Sequence, residues 1–103
     1  MYSIHETPTF KKLVDALLTS EERQEFCVFI ASHPEAGDLI PGSGGCRKVR
    51  WSRQGMGKRG GVRIIYYNTL ESGEIHLLLI YAKAVSENIP AHILKQIKEE
   101  IEK

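Results

Sequence analysis

The apolar residues of the first third of the chain predict one strand followed by two helices. Residues 2–5 alternate apolar and polar side chains, as a short strand does. Thr7 suits the N-cap of a helix with proline at its first position, and the apolar residues that follow recur at helical spacing. Thr19 and Glu22 fit a capping box, which predicts a second helix that ends at about Ser32.

From Cys46 onward the apolar period changes from that of a helix to that of a strand. Residues 35–45 are expected to form a loop, and strands are predicted from Cys46, over 62–68 and over 74–83. The last of these is expected to be the central strand, because both of its faces are apolar. A helix over 86–103 closes the chain. Its predicted core residues are Ile93, Leu94, Ile97 and Ile101.

These elements give the order β-α-α-β-β-β-α and an α+β fold. An antiparallel sheet is expected to pack against an N-terminal helical hairpin and a C-terminal helix. The 103 residues suit a single domain, residues 1–103, with one modest core. No apolar run reaches the roughly 18 residues of a membrane span. The first residues lack the pattern of a signal peptide and the two cysteines suit a reducing compartment, so a cytoplasmic location is expected.

Positive charge is concentrated in one part of the sequence, the basic block of residues 39–70. This block holds seven of the fourteen Lys and Arg residues and no Asp or Glu. It therefore carries +7, whereas the whole chain nets +1. Seven of the nine glycines also lie in the block, and glycine lets backbone N–H groups approach a phosphate closely. The block predicts a site for a polyanion; the alternative is a solvated face that only keeps the protein soluble.

Strand alternation predicts which side chains of the basic block share a face. Two basic side chains of the first predicted meander strand lie on one face, and antiparallel pairing can bring side chains of the next two strands beside them. Two further basic side chains would overhang that face from a glycine-rich loop. Guanidinium groups match a phosphate bidentately, so such a cluster can bind RNA phosphates. The predicted cluster consists of Lys48, Arg50, Arg63, Tyr81 or Lys83, and the loop residues Lys58 and Arg59.

Strict alternation also makes predictions for residues near this cluster. Along the last strand it places Leu77 on the face of Tyr81 and His76 on the opposite face. Tyr67 is predicted to share the basic face, where its ring could stack on a base. The four histidines and two cysteines show no metal-ligand spacing, so we expect neither a metal nor a cofactor.

Three segments of the chain resemble the RelE/HigB toxins of bacterial toxin–antitoxin pairs. The resemblance is closest to the HigB-like subgroup, and it extends from the helices to the last strand. The segments are Gly42-Ser-Gly-Gly-Cys-Arg-Lys-Val-Arg, Gly57-Lys-Arg-Gly-Gly-Val-Arg-Ile-Ile-Tyr-Tyr and Leu78-Leu-Ile-Tyr-Ala-Lys-Ala.

The resemblance implies a ribosome-dependent mRNA endoribonuclease. The family cleaves RNA without a metal, by attack of the ribose 2′-OH on the adjacent phosphate. The resemblance implies catalytic roles for Lys48 and Arg50, for Arg63 and for Lys83, with the arginines stabilising the phosphate and Lys48 favoured for proton transfer. The tyrosine that RelE-type members carry past the last strand has no counterpart in residues 85–89. The residues predicted to bind RNA and the ribosome are Arg47, Arg53, Lys58, Arg59, Tyr67 and Tyr81.

The partners implied are a cognate antitoxin protein, the A site of the ribosome with its rRNA, and mRNA. The toxin–antitoxin complex is expected to bind its operator DNA through the antitoxin, and no membrane partner is expected. Two other functions remain open for a chain of this pattern. One is a ParE-type inhibitor of DNA gyrase, and the other is a non-catalytic RNA-binding module of the same fold.

Overall fold

A five-stranded sheet with helices on both faces forms the protein in a computed structural model. The structure describes residues 2–52, 61–69, 71–82 and 90–102, with residues 52 and 100–102 as backbone only. The α+β class predicted from the sequence is confirmed. The elements are β1 (Ser3–Glu6), α1 (Pro8–Leu17), α2 (Ser20–Ser32), β2 (Asp38–Leu39), β3 (Arg47–Ser52), β4 (Gly61–Thr69), β5 (Glu74–Ala82) and α3 (Ala91–Glu102).

The strands are arranged in the order β1-β5-β4-β3-β2. β3, β4 and β5 form the predicted antiparallel meander, and β1 adds to β5 in parallel. The middle strand is therefore β4, not the last strand as expected. β5 is apolar on both faces because it is paired on both edges and covered on both faces. The predicted loop over 35–45 contains β2, a two-residue strand whose Asp38 and Leu39 pair with β3.

The first two helices begin where the sequence places them. The Thr7 side chain accepts a hydrogen bond from the N–H of Phe10, with Pro8 in the first helical position. Thr19 and Glu22 form the predicted capping box, with bonds of 3.1 Å and 2.8 Å. α3 begins at Ala91, later than predicted, and the carbonyl of the preceding proline accepts the first N–H bonds of the helix.

The sheet separates two apolar clusters. α1 and α2 cover one face, where Phe10, Phe26, Ile64 and Tyr66 are among the buried residues. α3 covers the other face through Leu94 and Ile97, as predicted. Ile93, also predicted to be a core residue, is 37% exposed because it lies outside the stripe of α3 that faces the sheet. The Ile101 side chain lies outside the described residues.

A β-bulge in β5 changes the alternation of its side chains. Tyr66 pairs with Leu77, but the preceding residue, Ile65, pairs with Leu79, so Leu78 is an extra residue. Leu78 and Leu79 both pack in the cluster under α3, whereas Leu77 packs in the cluster under α1 and α2. The prediction that Leu77 shares the face of Tyr81 is therefore wrong, because the bulge reverses the parity of every residue before it.

The predicted position of His76 is wrong for the same reason. Its ring stacks on Tyr67 at 4.8 Å between centroids and on His5 at 5.1 Å. Tyr67 and Tyr81 both belong to the cluster under α3, so His76 lies on the face of Tyr81. The prediction assumed unbroken alternation over five residues, and the bulge breaks it.

Candidate nucleic-acid interface

Three strands bring a row of polar side chains together at one end of the sheet. Arg50 on β3 is directly opposite Arg63 on β4, and Arg63 is directly opposite Tyr81 on β5. Residues directly opposite in an antiparallel pair share a face, with their Cβ atoms about 4.5–5.5 Å apart. In the next row Lys48 is opposite Ile65. The register thus brings these four side chains together on one face, as the sequence predicted.

The row lies at the edge of the area that α3 covers. Arg50 is exposed, and Lys48, Arg63 and Tyr81 are half-buried. In the next row, beside Lys48, Ile65 is buried and Leu79 is half-buried in the apolar cluster under α3. Gly61 lies beside the arginine of its own strand, and a Cβ at Gly61 would be in ordinary contact with Nη1 of Arg63, at 3.5 Å. The polar row is therefore accessible to a ligand, and it borders the apolar cluster under α3.

The charges of this row are unbalanced within the part of the chain that the structure describes. The ion pairs found there involve His5 and Arg23, and none involves Lys48, Arg50 or Arg63. Two guanidinium groups on facing residues repel each other, and like charges in this arrangement are destabilising. An anion placed between them would remove that repulsion and accept hydrogen bonds from both forks. The arrangement thus favours a bound anion.

Tyr81 is the neutral member of the row. Burial raises the pKa of its hydroxyl above the usual value, and the charge of Arg63 opposes that rise in part. The hydroxyl is therefore protonated at neutral pH and can donate a hydrogen bond next to Arg63.

Two predicted RNA-binding residues occupy other places in the fold. Arg47 lies on the opposite face of β3, where its Nη1 donates to the carbonyl of Gly37 at 2.7 Å. Tyr67 is on the predicted face but only 2% exposed, with its ring stacked on His76 and the Nζ of Lys98 5.3 Å from its centroid. The expectation that Tyr67 is available to a base is wrong, because α3 covers that part of the sheet.

Four other predicted site residues cannot be placed. Arg53, Lys58, Arg59 and Lys83 lie outside the described residues.

Two lysines of α3 extend the positive surface and were not predicted. Lys95 and Lys98 lie beside the glycine loop before β3, with Cγ of Lys95 and Cδ of Lys98 3.5 Å and 3.7 Å from where a Gly44 Cβ would be. Gly44 has a φ of +79°, which favours glycine. The three-residue spacing of the lysines on one helix face was the signal in the sequence, but only the docking of α3 shows which face it is.

Other kinds of site find little support in the described ranges. No group of three His, Cys, Asp or Glu side chains within 2–52, 61–69, 71–82 and 90–99 could hold a metal ion. No helix in the part of the chain that the structure describes is long and apolar enough to cross a membrane.

Comparison with known proteins finds similarity in structure. No protein-family model matches the sequence. A double arginine-to-alanine mutant of the E. coli toxin RelE in the free state aligns over 94% of this chain and 96% of its own, with 18% identity and a TM-score of 0.62.

Two further similar structures contain an antitoxin. The intact E. coli RelBE toxin–antitoxin complex matches over 85% of this chain and 100% of that chain, with 17% identity and a TM-score of 0.61. RelE bound to an antitoxin RelBc peptide matches over 85% and 98%, with 18% identity and a TM-score of 0.55. At these identities the likeness establishes architecture, and the chain has the fold of the E. coli toxin RelE.

Proposed function

We propose that this protein is the toxin of a type II toxin–antitoxin system and that it cleaves mRNA on the ribosome. The observation that carries the proposal is the Arg50–Arg63 pair, two facing guanidinium groups on an accessible sheet face with no carboxylate paired to them among the described residues. The RelE fold supports the same function. The three resembling segments of the sequence favour the HigB-like subgroup.

The proposed reaction is metal-independent cleavage of a phosphodiester bond. The ribose 2′-oxygen attacks the adjacent phosphorus, the bond to the 5′-oxygen breaks, and a 2′,3′-cyclic phosphate and a 5′-hydroxyl form. Negative charge grows on the phosphoryl oxygens as the 2′-oxygen adds. Arg50 and Arg63 are proposed to stabilise that charge. Such stabilisation is usually the largest catalytic contribution. Lys48, one row away, is proposed to take part in proton transfer, and Lys83 remains a proposed catalytic residue.

The proposed partners follow from the same function. The RelE structures with RelB or its peptide support a cognate antitoxin as the inhibitor. The ribosomal A site and mRNA are the proposed targets of the basic face, and binding to operator DNA is proposed to occur through the antitoxin. The location proposed is the cytoplasm, where ribosomes are found.

The test is primer extension on a defined mRNA in a translating extract, with the wild type compared with Arg63→Ala. We expect cuts within the reading frame that require ribosomes and that fall by about 10²–10³-fold in the variant, the usual cost of removing one charge-stabilising donor. Lys12→Ala is the matched control, because Lys12 is an exposed cation on α1, on the opposite side of the sheet. The control is expected to cut like the wild type.

Other outcomes would overturn the proposal in different ways. Growth inhibition without cuts would point to another target, and a supercoiling assay with DNA gyrase would then test the ParE-type alternative. If neither RNA nor gyrase is affected, the basic face only binds. If the Arg63→Ala variant cleaves mRNA as well as the wild type does, the catalytic site does not lie in this row.

A further inference from the structure

The bulge at Leu78 is what brings Tyr81 to the arginine row. Before the bulge, from Glu74 to Leu77, the strands pair in one register, in which Tyr67 is opposite His76. After the bulge the pairing is shifted by one residue, so that Arg63 is opposite Tyr81. Without the extra residue Arg63 would face Ile80, and Tyr81 would point into the core under α1 and α2. Bulges are common beside active sites, where they redirect a side chain.

Thr7 holds the bulge in place. Its hydroxyl lies 2.9 Å from the carbonyl oxygen of Leu77 and 3.2 Å from that of Leu78, so its one proton is shared between them. Its backbone N–H also donates to the Leu77 carbonyl, at 3.1 Å. A bulge disrupts the ladder bonds of its strand, and buried carbonyls without donors are costly. Thr7, which also caps α1, thus fixes the register that positions Tyr81.

Tyr81 has the properties that the proposed reaction requires of a proton donor. The departing 5′-oxygen is a strongly basic alkoxide and needs a proton as its bond to phosphorus breaks. A phenol that keeps its proton at neutral pH can supply it. Among the described residues, Lys48 also carries protons at this end of the face, one row away. His76 is held between two rings, those of His5 and Tyr67, on the far side of the bulge.

Resting on the proposed function, we propose that Tyr81 is the general acid that protonates the 5′-oxygen, and that Thr7 is the positioning residue that aims it. In the step, the 2′-hydroxyl gives its proton to a water molecule as the 2′-oxygen forms a bond to phosphorus. The P–O5′ bond breaks, and its electron pair takes the proton of the Tyr81 hydroxyl. The resulting tyrosinate is stabilised by Arg63 and regains a proton from water, so the residue is unchanged at the end of the cycle.

The test compares two forms of one mRNA, cut at a site located by primer extension on programmed ribosomes. One has the natural 5′-oxygen at that position, and the other has a 5′-sulfur, a leaving group that needs no proton. For Tyr81→Phe we expect cleavage of the oxygen substrate to fall by about 10²–10³-fold, within the range of general acid catalysis. The sulfur substrate is expected to lose less than about 10-fold, because its leaving group departs without an acid.

Three outcomes would overturn the assignment. Equal losses on the two substrates would mean that Tyr81 serves binding or packing, and no loss on either would mean that it has no role. If the wild type cuts neither substrate, the proposed function fails and this inference fails with it. If the wild type cleaves both substrates and Tyr81→Phe slows both equally, only this inference fails and the proposed function is retained.

The role of Thr7 is tested by the ratio of the two cleavage rates, which loss of folded protein would not change. Thr7→Val removes the hydroxyl at nearly constant volume and is expected to lower the oxygen-to-sulfur ratio in the same direction as Tyr81→Phe. Thr7→Ser keeps a hydroxyl and is expected to restore it. Thr19→Val removes the equivalent cap from α2 and is expected to leave the ratio unchanged. An unchanged ratio in Thr7→Val would refute the positioning role.

Discussion

The facing arginines of the sheet present a conflict between stability and binding at the scale of single residues. Arg50 and Arg63 occupy directly opposite positions in β3 and β4, and like charges in such positions destabilise a sheet. Arg23 shows the opposite arrangement, since its guanidinium binds both carboxylate oxygens of Glu6, at 2.6 Å and 2.8 Å. The charge of Arg23 is paired, and the charge of the proposed site is not paired within the described residues.

Replacing one arginine of the row is therefore expected to stabilise the folded protein and to impair its cleavage of mRNA. Arg50→Gln should raise the free energy of unfolding by about 0.2–1 kcal/mol, because it removes a repulsion between facing residues. Cleavage of mRNA should fall at the same time. Urea unfolding of wild type and variant measures the first effect.

The matched control is an arginine that does have a partner. Arg23→Gln should lower the free energy of unfolding, since it breaks the ion pair with Glu6, and should leave cleavage unchanged. If Arg50→Gln were destabilising, the two guanidinium groups would have to be stabilised by a group beyond the described residues.

At the scale of elements, β4 fixes the loop that leads into the edge strand β2. The buried hydroxyl of Tyr66 accepts a hydrogen bond from the N–H of Gly37 at 2.9 Å and lies 3.0 Å from the carbonyl of Pro34, to which it donates. Burial raises the pKa of this hydroxyl, so it remains a donor. Gly37 has no space for a side chain, because a Cβ would lie 2.9 Å from the carbonyl oxygen of Lys48.

Removal of this hydroxyl is expected to cost about 1–3 kcal/mol of unfolding free energy in Tyr66→Phe. The reason is that the buried N–H of Gly37 would lose its acceptor and the ring would otherwise be unchanged. Chemical denaturation measures the loss. Tyr2→Phe is the control, because the Tyr2 side chain packs against the same cluster without a side-chain hydrogen bond in the described residues. Similar losses in both variants would contradict the explanation.

The helices could be predicted at this scale, and the strands only in part. Caps such as Thr7 and Thr19 act on neighbouring residues, so the sequence near them is sufficient. The meander follows from period-two patterns in the same way. β2 has only two residues, and its pairing with β3 depends on contacts of the loop with Tyr66 and Arg47, which are distant in sequence. No local pattern reports such contacts.

At the scale of the whole molecule, charge is distributed unevenly along the chain, and three cations of the basic block share one face of the sheet. Residues 1–38, which contain the two helices on one face, sum to −4, and the basic block carries +7. An anion is therefore attracted to the side of β3 and β4 that carries Lys48, Arg50 and Arg63. Such binding releases counterions and weakens as salt concentration rises.

Salt dependence gives a test of this polarity. For binding to a single-stranded RNA oligonucleotide, Lys48→Ala is expected to reduce the slope of log affinity against log salt by about one phosphate contact, or roughly 0.7. Lys11→Ala, an exposed cation of α1 on the other side of the sheet, is expected to leave the slope unchanged. Fluorescence anisotropy across a salt series provides the measurement. Equal effects of the two variants would show that net charge, and not this face, determines binding.

The sequence alone determined the fold class, the starts of α1 and α2, the basic block and the shared face of Lys48 and Arg50. These properties depend on residues a few positions apart, and period and capping chemistry report them directly. The tertiary structure decided that Tyr67 is buried under α3 and that Arg47 binds a loop. It also decided that Leu78 is an extra residue, which moves His76 to the face of Tyr81 and Tyr81 to Arg63. The carbonyls of the bulge accept hydrogen bonds from Thr7, which is 71 positions from Leu78 in the sequence. The alternation of residues within one strand cannot indicate so distant a donor, so the bulge could not be predicted from it.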